Sequence, residues 1–102
     1  MLNVLVIDES RSRAGEICAG LALAGYRVAA ILADADNLTS EVEKLQPDVI
    51  LIDTESPSRD TLENLAVMNK DMPRPVVIFT HEDGQDAIRD AVKAGVSAYI
   101  VD

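Results

Sequence analysis

Five short runs rich in Val and Ile punctuate the chain at even intervals: Val4 to Ile7, Val28 to Leu32, Val49 to Ile52, Val76 to Phe79 and Tyr99 to Val101. None alternates apolar with polar residues. Each is too brief for a helix and too uniformly apolar for a strand with one wet face, so each predicts a strand buried on both sides. Strands of that kind belong to parallel sheets, whose neighbours need crossover connections of about a dozen residues or more. The stretches between the runs are long enough and carry helical spacing.

The first of these starts near Ser10, places Ala14, Ile17, Cys18, Leu21 and Ala24 on one stripe, and stops at Gly25. Cys18 is therefore expected on the buried stripe. In the second, Leu38, Val42 and Leu45 share a face and Pro47 forbids continuation. The third shows capping-box spacing at Asp60 and Glu63, ahead of Leu62, Leu65, Ala66 and Met68. The fourth carries Ala87, Ile88, Ala91 and Val92, then Gly95 to end it.

Alternating strands and helices in 102 residues predict a single α/β domain, doubly wound on a five-stranded parallel sheet of order 2-1-3-4-5. Right-handed crossovers then put the first helix on one face and the next three mostly on the other. A last helix beside the first is apparently absent, which leaves that face bare near strands four and five. The expectation is that residues 1–102 form one domain of a longer regulator, or that a second copy covers the patch as a homodimer.

Composition narrows the function classes. Nine Lys and Arg against eighteen Asp and Glu give a net charge of −9, the wrong sign for gripping nucleic acid. The longest apolar run, Val28 to Ala33, is six residues, far below the roughly 20 that span a bilayer. A single cysteine, Cys18, closes no internal disulfide and suits a cytoplasmic setting. No Gly-rich phosphate loop follows the first strand, which argues against a nucleotide site. A metal-dependent phosphohydrolase would want a second acid two residues beyond its nucleophile, and Ser10 stands there relative to Asp8. The expectation is that this domain is not an enzyme; His81 reads as a solvated loop residue, and Met68 and Met72 as packing or loop residues.

In open parallel sheets, ligands bind beyond the carboxyl ends of the strands where strand order reverses. Strand one ends in Asp8-Glu9 and strand three in Asp53, so three carboxylates are expected to converge there. All-oxygen ligands suit a hard ion such as Mg²⁺. Thr80, ending strand four, would aim a hydroxyl at the same rim. Singly these residues have plainer readings as helix-dipole acids and a turn cap; their conjunction at three strand ends points to a site.

That conjunction resembles the receiver domain of two-component response regulators, over essentially the whole chain. The resemblance implies Mg²⁺ held by Asp8, Glu9, Asp53 and the backbone carbonyl of Glu55, with Asp53, at the end of Pro47-Asp48-Val49-Ile50-Leu51-Ile52-Asp53, as phosphoacceptor. Pro57, Ala94-Gly95, Thr80 as switch hydroxyl and Tyr99 as switch aromatic match further motifs. The implied partner is a sensor histidine kinase or a ligand-sensor protein.

One departure stands out. Receivers usually place a lysine three residues after the aromatic, and Asp102 is there instead, which leaves two alternatives: Asp102 turns away into solvent, or Arg11, Arg13 or Arg59 reaches the pocket. Asp60-Thr61 also replaces a usual glycine. The run from Ala94 to Asp102 is similar to the receiver-like domain of antiterminator regulators, the AmiR and NasT kind with an RNA-binding ANTAR domain, where a pseudo-receiver acts by protein contact without phosphate.

Overall fold

The computed structural model of the protein describes all 102 residues. Strands β1 (Asn3–Asp8), β2 (Arg27–Leu32), β3 (Val49–Asp53), β4 (Val76–Thr80) and β5 (Ala98–Val101) alternate with helices α1 (Arg11–Leu23), α2 (Leu38–Leu45), α3 (Arg59–Asp71) and α4 (Gln85–Lys93). The strands form one parallel sheet in the order β2-β1-β3-β4-β5, as the sequence predicts. No helix is long and apolar enough to cross a membrane.

The two faces of the sheet are covered unequally. Leu5 and Ile7, Ile50 and Ile52, and Val76 and Ile78 point to one side, where they pack with Leu38 and Val42 of α2, Leu65 and Met68 of α3, and Ala91 of α4. This is the core, and its members are almost completely buried. The other face meets α1 alone. Ala14 is the only α1 residue fully buried; Ile17, Cys18 and Leu21 are half-buried. Cys18 thus lies on the expected stripe but not deep in it, and Ala24 is exposed, because no second helix closes the layer around them. Val92, expected on the inner stripe of α4, is 62% exposed, while its neighbour Ala91 is fully buried in the core.

Local chemistry sets the helix ends. Ser10 caps α1 through its side chain, which accepts from the Arg13 N–H. The capping box expected at Asp60 and Glu63 does not form. Ser58 caps α3 instead, its hydroxyl oxygen accepting from the Thr61 N–H at 3.1 Å, so the helix starts at Arg59 and Asp60 falls inside its first turn. The Ser at the right distance from a free N–H outcompetes the acid already committed to helical backbone. Ser58→Ala is therefore expected to cost about 1 kcal/mol in chemical denaturation, and Asp60→Ala only a few tenths; equal losses would put the cap back at Asp60. Gly95, at φ 94°, closes the α4–β5 turn, where a Cβ would stand 2.5 Å from the Asn69 amide.

Candidate functional site

Parallel register gathers the acids. Asp8 and Asp53 are direct partners across β1 and β3, so their side chains leave the sheet on the same face at its carboxyl end. The Asp8 side chain is fully buried and that of Asp53 is 15% exposed. Asp8 Oδ1 accepts from the Ser10 N–H at 2.8 Å, while Asp8 Oδ2 is buried with no donor at all. An unpartnered buried carboxylate oxygen is costly, and a cation or a proton relieves it.

Asp53 feels the same pressure. Burial first, and then the charge of Asp8, push its carboxyl above the ordinary aspartate range; Arg13 pulls the other way. When Asp53 is protonated it can donate to Asp8, and the charge of Asp102 adds a smaller push in the same direction. Arg13, in the first turn of α1, sends one guanidinium nitrogen to 3.8 Å from Asp8 Oδ1 and the other to 3.8 Å from Asp53 Oδ1.

Glu9 does not join this pair. One residue beyond Asp8 and past the end of β1, it is exposed and lines a cleft of about 230 Å³ together with Asp34, Asp53 and Asp60. No three acids lie close enough to hold an ion jointly; two carboxylates converge where three were expected. Mg²⁺ is commonly held by one or two carboxylates with water and substrate oxygens, and the orphaned Asp8 Oδ2 fits that demand.

Thr80 is buried at the end of β4. Its hydroxyl donates to the Glu55 carbonyl at 2.6 Å and its oxygen accepts from the Glu82 N–H at 3.2 Å. Tyr99, from β5, donates its hydroxyl to the Glu82 carbonyl at 2.7 Å. Burial, then the charge of Glu82, raise the Tyr99 phenol above its usual value, so it remains a donor. A continuous path therefore runs from Glu55 through Thr80 and the Glu82 backbone to Tyr99. Glu82 was invisible to sequence reasoning because its bonds to Thr80 and Tyr99 are made by its peptide groups, which every residue but proline carries.

The remaining candidates separate cleanly. Arg11 is exposed, and Arg59 pairs with Glu63 on the surface of α3, so of the three cations considered only Arg13 reaches the acids. His81 is exposed. Asp102 extends the β4–β5 pairing by donating its N–H to the Thr80 carbonyl, and lines a cleft of about 320 Å³ with Asp53, Phe79 and Ile17. Burial, followed by the Asp8 charge, raises the Cys18 thiol, which favours the inert protonated form.

Known proteins agree with this architecture. A protein-glutamate methylesterase/protein-glutamine glutaminase of Photobacterium profundum is 32% identical over 97% of this chain, and one of Anaeromyxobacter dehalogenans is 28% identical over 97%. The chain spans 26% and 29% of those relatives' lengths. The response regulator domain of Thermotoga maritima CheB superposes with a TM-score of 0.84 at 24% identity, over 99% of this chain and 78% of that one. These relatives are of the methylesterase kind, and the antiterminator likeness finds no support among them. The sequence profile described as "Response regulator receiver domain" matches residues 4–101. By sequence and by fold, the chain belongs to the response regulator receiver domain family.

Proposed function

We propose that Asp53 accepts a phosphoryl group from a sensor histidine kinase, and that the event is read out on the face of α4 and β5 to control an output domain outside these 102 residues. The observation that carries this reading is the Asp8–Asp53 pair, in register, with Asp8 buried and left with an orphaned oxygen. Asp8, Asp53 and the Glu55 carbonyl are the groups that would hold Mg²⁺, with Glu9 at one remove through water. The ion, when bound, supplies positive charge to the phosphoryl oxygens.

In the transfer, one Asp53 carboxylate oxygen attacks phosphorus. The new O–P bond forms as the donor's bond to phosphorus breaks, and that electron pair departs with the donor. Asp53 must be ionised to attack, and burial and the Asp8 charge oppose that ionisation in the metal-free pocket. Thr80 stands at the far side of the Glu55 carbonyl, and a shift of its hydroxyl toward the phosphoryl group breaks its present bond and releases the Glu82 backbone that Tyr99 holds. A local change at Asp53 thereby biases the β5 surface.

Incubation with acetyl phosphate and Mg²⁺ tests this. The wild-type protein is expected to gain one phosphoryl mass, and Asp53→Asn none. A gain that survives Asp53→Asn, or no gain in the wild type, defeats the phosphoacceptor role. Asp102 in the lysine position favours a second reading, a pseudo-receiver of the antiterminator type whose partner, a kinase or ligand sensor in the cytoplasm or a second copy, recognises the same face without chemistry. Absence of any mass gain, together with partner binding weakened by Tyr99→Ala, is the result that reading expects.

A further inference from the structure

We infer that Arg13 is the resident cation of the acid pocket: it offsets part of the charge of Asp8 and Asp53 at rest, competes there with a divalent metal, and turns to the oxyanion once Asp53 carries one. The last part rests on the reading of Asp53 as phosphoacceptor; the first two stand on the pocket alone.

Three observations point to it. Arg13 is the only Lys or Arg whose side chain comes within ion-pair distance of either acid, and it reaches both. Its contacts are loose. At 3.8 Å they are too long for hydrogen bonds, so the guanidinium is attracted by charge without being locked by geometry. Nor does it satisfy Asp8 Oδ2, which stays without a donor and is available to a metal. Finally, the position is built by the same turn that builds the acid site: the Ser10 N–H is donated to Asp8, and the Ser10 hydroxyl accepts from the Arg13 N–H.

The charge balance explains why such a residue is needed. The charges of Asp8 and Asp102 both bear on Asp53, Asp102 lines a cleft with it, and an acid follows β5 where a cation would answer a phosphoryl group. Arg13 approaches from α1, across the sheet end from Asp102. A guanidinium offers several donors in one plane, and an oxyanion on Asp53 brings additional acceptor oxygens into the existing gap, converting a loose ion pair into charge-assisted hydrogen bonds. With its side chain 35% exposed, Arg13 has solvent on one side and room to swing.

The experiment uses two probes, Mg²⁺ alone and then beryllofluoride at saturating Mg²⁺, each followed by the amide resonances of Asp8, Asp53 and Thr80. In Arg13→Ala, Mg²⁺ affinity is expected to rise about tenfold, because the ion no longer displaces a cation, whereas beryllofluoride affinity falls about tenfold. Arg13→Lys should lie between wild type and Arg13→Ala in both titrations. Adding Asp102→Lys to Arg13→Ala should restore beryllofluoride binding and leave the tighter Mg²⁺ binding reduced. Unchanged affinities in Arg13→Ala overturn the inference, and so do two affinities that fall together, which is the signature of simple structural damage. A wild-type protein that binds Mg²⁺ but never beryllofluoride defeats the phosphoacceptor reading while the metal titration still decides on Arg13. Wild-type protein that binds neither probe defeats both.

Discussion

Ile50→Ala is expected to lower the unfolding free energy by about 3 to 4 kcal/mol, whereas Leu51→Ala, the next residue along the same strand, lowers it by only about 1. The two side chains leave β3 on opposite faces. Ile50 is wholly buried, flanked in register by Leu5 and Val76, and roofed by the helices of the core layer. Removing its methyl groups empties a space that the neighbours cannot close, so the loss of burial and the cavity add. Leu51 is half-buried and borders both clefts on the α1 side, about 320 and 210 Å³, so its truncation deletes atoms that already face openings. A domain of this size is stable by about 5 to 15 kcal/mol, which makes the first change a large fraction of the whole. Denaturant melts of the two variants measure the difference. Equal costs would show that the α1 face is packed as tightly as the other.

That asymmetry was legible in the sequence, and the reason is topological. Continuous apolar strands dictate parallel pairing, right-handed crossovers dictate which helix goes to which side, and four helices on a two-faced sheet leave one side short. Helix ends were less legible. Ser58 and Asp60 are both capping residues, and which one leads depends on where the loop after Asp53 delivers the chain, a tertiary matter. In the site, the Asp8–Asp53 pairing followed from strand ends, but Glu9 was grouped with them by adjacency, whereas it lies past the end of β1 and completes no three-acid cluster with them. Arg13 was one of three cations considered; Arg59 belongs to α3 and pairs with Glu63, and between Arg11 and Arg13 the helical phase fixed by the Ser10 cap selected Arg13. The Glu82 relay left no trace, since its bonds to Thr80 and Tyr99 are made by peptide groups that every residue but proline carries.

Asp53→Asn should make the metal-free protein more stable at pH 7, by about 1 kcal/mol or some 4 to 8 °C in melting temperature. The amide keeps the shape of the carboxylate and removes a negative charge held beside Asp8 with little solvent to screen it. The pH dependence has a definite sign. Because the folded-state pKa of Asp53 is raised, the ionised group destabilises the fold, fully so above that raised value and not at all below the ordinary aspartate value. As pH falls through the interval between the two, the wild type should therefore regain stability relative to Asp53→Asn, until the curves meet near the ordinary aspartate pKa. Metal reverses the order. An ion that binds only the folded wild type adds about 1.4 kcal/mol at ten times its dissociation constant. The variant, with one carboxylate fewer, should gain far less, so in saturating Mg²⁺ the wild type is the equal of Asp53→Asn or better. Thermal melts across pH, with EDTA and with Mg²⁺, check both halves. A variant less stable than wild type in EDTA would mean that Arg13 already balances the pair in full, and a wild type indifferent to Mg²⁺ would mean that the orphaned oxygen of Asp8 attracts no ion.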